Sequence, residues 1–204
     1  MEKRIIKITR GPMPIHNEYG TLTFSKEDFC GADIYRAIAG RAKARADIYC
    51  DFIIAHCDIE QPDYSSSGNL EMFVAWAAFS CEVYLKSLIY HINADELFNE
   101  APDGSKRFIE HSLLDLFNIL EAINNNGSEY AIRITEGLSD FSGRLNSVSN
   151  YFIKYRYDYE LKDEEIDYSF VFDLLKKLQS ITNEIEFIKS MEIVERPDRS
   201  ILIS

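Results

Sequence analysis

The chain has 204 residues, 46% of them hydrophobic and 27% charged, with a formal net charge of -12 and a pI near 4.8. That length and apolar fraction suffice for one sizeable core and favour a single domain over residues 1–204. The acidic balance repels phosphate backbones and anionic membranes globally, so any nucleic-acid contact has to come from a local basic patch.

In chain order, "RIIKIT" (residues 4–9) reads as a strand, "GPMPIHNEYG" (11–20) as a turn and "TLTF" (21–24) as a second strand. "SKED" (25–28) has the spacing of a helix N-cap box. From Asp33 to about Ile59 the pattern turns helical, with Ile34, Ile38, Ile48, Phe52 and Ala55 expected on one side. Gly40 weakens this helix without breaking it. "EQPDYSSSGN" (60–69) is a loop. The strongest helix follows over Leu70–Asn93, where Leu70, Phe73, Val74, Ala77, Cys81, Tyr84, Leu85 and Leu88 form one apolar stripe.

"NEAPDGSK" (99–106) interrupts through Pro102 and Gly104. A third helix carries Leu113, Leu116, Phe117, Leu120 and Ile123, and "NNNGS" (124–128) ends it. A fourth is expected to start between Tyr130 and Asp140 and run to Tyr159, with Phe141, Leu145, Val148, Phe152, Tyr155 and Tyr159 inward. A fifth holds Ile166, Phe170, Leu174, Leu178, Ile181, Ile185 and Ile188. "SILIS" (200–204) reads as a closing strand that pairs with "RIIKIT". The expectation is an all-α fold: a helical bundle of about five helices over residues 33–190, with a small terminal β element from 1–28 and the tail 191–204.

Chemistry-bearing signatures are few. Cys30, Cys50, Cys57 and Cys81 lack C-x-x-C spacing and read as free thiols, and His16, His56, His91 and His111 are scattered. No metal site or cofactor is expected, and no nucleotide-loop or hydrolase motif is present. The N-terminus lacks a signal-peptide h-region and no apolar run reads as long enough to span a bilayer, so the cytoplasm is the expected compartment.

Four features remain. Glu82 and Lys86 stand one helical turn apart beside the apolar stripe and can pair. His111 sits at the entry to the third helix, where it either fixes the loop or titrates. Arg156 lies among Tyr151, Phe152, Tyr155 and Tyr159, and needs a partner such as Glu82 or Glu160. Arg36, Arg41, Lys43 and Arg45 form a basic concentration with no acid between Asp33 and Asp47: either a solvated face or a contact for phosphate, RNA or an acidic partner.

"AAFSCEVYLKSLI", "EHSLLDLF" and "VSNYFIKYRYDYE", in this order over Leu70–Glu160, resemble the HEPN family of nucleotide-binding helical bundles. The resemblance implies a homodimer in a toxin–antitoxin or phage-defence setting. Many HEPN proteins are metal-independent ribonucleases with an Arg followed four to six residues later by His. Arg156 matches the Arg position, but Glu160, Leu161 and Lys162 stand where the His is expected, and His111 follows Arg107 at the wrong helix. The resemblance therefore implies a non-catalytic member that binds a nucleotide, RNA or cognate protein through Glu82, Lys86, His111 and Arg156. The alternative it leaves is an endoribonuclease using Arg156 with His111 or Glu82 as a substitute acid/base. A third reading, from the charge of -12 alone, is an acidic structural or regulatory bundle that binds a basic protein.

Overall fold

A computed structural model describes residues 15–17, 20–22, 31–57, 67–102, 105–123, 126–153 and 167–185. Among these the fold is all-α. The helices are α1 (Asp33–His56), α2 (Ser67–Ile92), α3 (Ala94–Glu100), α4 (Leu113–Ala122), α5 (Gly127–Thr135), α6 (Phe141–Val148) and α7 (Tyr168–Asn183). A short antiparallel hairpin pairs β1 (Ile15–Asn17) with β2 (Gly20–Leu22), Asn17 opposite Gly20. Its first strand falls inside the stretch expected to be a turn. "RIIKIT", "SKED" and "SILIS" lie outside the described residues, as do Tyr155, Arg156, Tyr159, Ile166 and Ile188.

Helix α2 is the centre of the bundle. Its expected stripe from Phe73 to Leu88 is buried, and so are Ala75, Ala78, Val83, Ile89 and Tyr90, so the helix is covered on nearly every side. A helix apolar all round belongs in a core. The same property corrects one expectation. Leu70–Ile92 is long and apolar enough, by length and composition, to cross a membrane, and 72% of that window is buried inside the protein.

Helix α1 also departs from expectation. Tyr35, Ala39, Ala46, Cys50 and Ile53 are its buried residues, while Ile48 is 69% and Phe52 41% exposed. The side chains that face α2 are mostly small, so the two long helices can approach closely, and the larger Ile48 and Phe52 are left on the outside. Gly40 is accommodated within the unbroken helix, as the sequence suggests.

The expected fourth helix begins at Phe141, at the late end of its expected start, and α5, absent from the sequence reading, precedes it. After α5 the chain turns through Gly137 (φ 79°) and Asp140 (φ 46°), two left-handed residues that end one helix before α6 begins. The break lets Leu145 and Val148 of α6 and Ala131 and Ile134 of α5 enter the core from separate directions. Gly127 opens α5 where a Cβ would lie 2.1 Å from the Leu120 carbonyl oxygen, so α5 crosses closely over the end of α4. Helix α7 buries Phe170, Leu174, Leu178 and Ile181 as read from the sequence. Its N-cap, Asp167, accepts from Phe170 N at 3.2 Å and from Arg144 Nε and Nη2 at 2.7 and 2.9 Å.

A second, smaller cluster of Tyr35, Ala39, Tyr90, Ala94 and Leu97 fastens the segment that carries His111. Tyr35 stacks on Tyr90 and donates to the Ala101 carbonyl at 3.1 Å. The Tyr90 hydroxyl accepts from Phe108 N at 3.0 Å, and Phe108 lies edge-on to the Tyr90 ring. The short helix α3, absent from the sequence reading, supplies Ala94 and Leu97 to this cluster.

Candidate functional site

The N-terminus of α4 sets the position of His111. Leu113 N and Leu114 N donate to the carbonyl and hydroxyl of Ser149, and Asp115 N and Leu116 N to the hydroxyl and carbonyl of Ser112. All four first-turn donors are thus satisfied, which leaves no amide free to bind an anion there. Glu110 Oε1 accepts from both His111 N and Ser112 N at 2.8 Å, and these bonds hold its carboxyl below the usual carboxylate range. The backbone on each side of His111 is therefore pinned. Ser112 and Asp115, spaced as a capping pair, are the sequence signal that marks this start.

Glu82 and Lys86 meet His111 there. The Glu82 side chain is 3% exposed, and its Oε1 is shared between Lys86 Nζ at 2.7 Å and His111 Nδ1 at 2.9 Å. Oε2 is buried and has no hydrogen-bond partner among the described residues. Burial of a carboxylate is costly unless charge or hydrogen bonds compensate it, and here one oxygen takes both compensating groups while the other takes none. The Lys86 side chain is 14% exposed, and the His111 side chain is 52% exposed. With Nδ1 held by a buried carboxylate, the remaining ring nitrogen belongs to the open part of the imidazole. A carboxylate behind one nitrogen orients a histidine for hydrogen bonding or proton transfer at the other.

Three of the four residues read from the sequence as one site thus come together. Arg156, the fourth, lies outside the described residues, as does its Glu160 alternative. Of its aromatic neighbours, Tyr151 is buried and its hydroxyl accepts from Asp167 N, and Phe152 packs on Phe79 at 4.5 Å between centroids. Both serve the bundle.

The basic concentration on α1 is a separate place. Tyr84 joins α2 to α1 through Asp47. Two residues along a helix is a rotation of about 200°, so Glu82 faces away from that contact. Arg36 and Lys43 are each paired with acids. Arg36 bonds Asp33 at 3.1 Å and Asp95 at 2.8 Å, and Lys43 bonds Asp47 at 2.7 Å while Asp47 also accepts from Tyr84 OH. The acids that bracket the stretch in sequence fold back onto it. Arg41 and Arg45 are exposed on the outer face. Among the described residues no three His, Cys, Asp or Glu side chains are grouped to hold a metal. Cys50, Cys57 and Cys81 are free thiols.

No family model matches the chain, and no curated protein or solved structure matches it either.

Proposed function

We propose that the protein is a HEPN-like helical bundle, non-catalytic, that binds a nucleotide, an RNA or a cognate protein at the Glu82–Lys86–His111 cluster. The observation that carries this reading is the buried Glu82 carboxylate, which holds a half-exposed histidine and a lysine on one oxygen. Such an arrangement packs at higher cost than an apolar trio would, so it suits a recognition role better than a purely structural one. On this reading Arg156 supplies the cation for a phosphate, since Glu82, Glu110, Lys86 and His111 together carry no net positive charge. The proposal covers residues 1–204 as one cytoplasmic domain, acting as a homodimer in a toxin–antitoxin or phage-defence setting.

Fluorescence anisotropy with labelled single-stranded RNA in EDTA, beside thermal shift with nucleotides, tests it. Binding or thermal protection lost in His111→Ala and Arg156→Ala, with the fold retained, supports the site. No response of the wild-type protein to either probe, or responses that both variants keep, removes the nucleotide and RNA arms. The cognate-protein arm falls if a co-purifying partner stays bound to both variants.

One observation favours a second reading, a metal-independent endoribonuclease. Glu82 at Nδ1 is the support a general base needs. His111 would take the proton of a ribose 2′-OH as that oxygen attacks the adjacent phosphorus. The His111 imidazolium, as the acid, returns that proton by way of water to the 5′-oxygen as the P–O5′ bond breaks, and a 2′,3′-cyclic phosphate remains. RNA that stays intact in EDTA at high protein concentration ends this reading; cleavage abolished by His111→Ala sustains it.

A further inference from the structure

The outer face of α1 has an unusual composition. Arg45, Ile48, Phe52 and His56 follow one another at helical spacing and are all exposed, Ile48 at 69% and Phe52 at 41%. Trp76 of α2 lies edge-on to Phe52 at 5.2 Å and widens the apolar centre. Arg45 has no ion pair among the described residues. Asp51, the acid on this face, accepts weakly from Gln179 at 3.5 Å. The stripe thus reads base, apolar, apolar, base, on a protein whose net charge is -12.

The same chain carries the complementary surface. On α5, Ile132 is 68% exposed, with the exposed Glu129 and Glu136 about one turn to either side. Neither glutamate has an ion pair among the described residues. This face reads acid, apolar, acid.

We propose that the α1 stripe of one copy receives α5 of a second copy. Ile132 seats between Ile48 and Phe52, and Glu129 and Glu136 reach the bases at the two ends of the stripe. An opposite-charge pair at Arg45 and a hydrogen-bonding imidazole at His56, one at each end of the apolar centre, fix its register. Formed reciprocally by two copies, the contact closes into an isologous two-fold dimer; formed once between each pair, it is heterologous and propagates as a ring or an open chain. It is independent of any ligand at Glu82.

Sedimentation velocity of the full chain across micromolar concentrations tests it, with circular dichroism to verify each variant's fold. The wild-type mass is expected to rise with concentration. Arg45→Glu and the double variant Glu129→Arg, Glu136→Arg are each expected to weaken association by about tenfold or more. Ile132→Ser, which adds no charge, is expected to weaken it as well. An equimolar mixture of the two charge-reversed proteins regains association, because one supplies an intact α5 and the other an intact α1. A wild type that stays monomeric overturns the proposal. So does a Glu129/Glu136 variant that associates like wild type, as it would if α1 packed on α1, and so does a mixture that remains monomeric.

Discussion

Glu82 Oε1 and His111 Nδ1 lie 2.9 Å apart across 29 residues of sequence, joining the middle of α2 to the first cap of α4. Lys86 completes the arrangement from one turn further along α2. Lys86→Met keeps the stem and removes the charge, leaving a buried carboxylate with His111 alone. Urea unfolding should show a loss of about 3 kcal/mol, because breaking a buried pair strands its partner. A change below about 0.5 kcal/mol, the size of an ordinary surface substitution, would mean that Glu82 is hydrated in solution.

Arg144 and Asp167 give a pH-dependent test. The Arg144 guanidinium, followed by the Phe170 amide, holds the Asp167 carboxyl below its ordinary value of 3.8, with burial opposing. A depressed carboxyl stabilises the fold fully above that value, and the contribution is lost as pH falls through the lower folded value. The two side chains are 26% and 32% exposed, so the pair contributes about 1 kcal/mol. Arg144→Met should cost that amount at neutral pH and much less near pH 2. Equal losses at both pH values would assign the effect to the guanidinium lying 4.8 Å over the Phe170 ring.

The thiols should divide by burial. Desolvation pushes the Cys50 thiol up to about 11, against a hydrogen bond with Tyr84, and pushes Cys81 well up. In a Cys30→Ser background, a thiol-specific chromogenic reagent at pH 8 is expected to label only the half-buried Cys57 in the native protein and all three remaining thiols in denaturant. Rapid native labelling of Cys50 or Cys81 would contradict the packing of α1 on α2.

Two substitutions on α1 separate its faces. Ala46→Leu adds volume at a fully buried position and should destabilise by about 1–3 kcal/mol. Ile48→Ser, in dilute protein, should stay within about 0.5 kcal/mol of wild type. The reverse ranking in thermal or urea unfolding would restore the face first read from the sequence.

Gly127→Ala tests the crossing of α5 over α4. The added Cβ would meet the Leu120 carbonyl oxygen at 2.1 Å and Ile123 Cβ at 2.9 Å. The expected cost is roughly 2 kcal/mol, from forced displacement of packed atoms. Chemical denaturation that shows a gain instead would mean that α5 is not seated there.

The sequence by itself determined the helical class, the course of α2, α4 and α7, and the pairing of Glu82 with Lys86. Each depends on neighbours one or two turns apart, which periodicity reports directly. It also marked His111 as the residue at the mouth of α4. Only the tertiary structure decided which face of α1 is inside, because Ala39, Ala46 and Cys50 are buried for the close approach they permit and not for their hydrophobicity. Only the fold, too, placed α5 ahead of the fourth helix and separated the two at the left-handed Gly137 and Asp140. It brought His111 to Glu82 through Ser149 and Tyr90, partners 38 and 21 residues from His111 in the sequence. Contacts over such separations follow from how helices pack, and no local pattern records them.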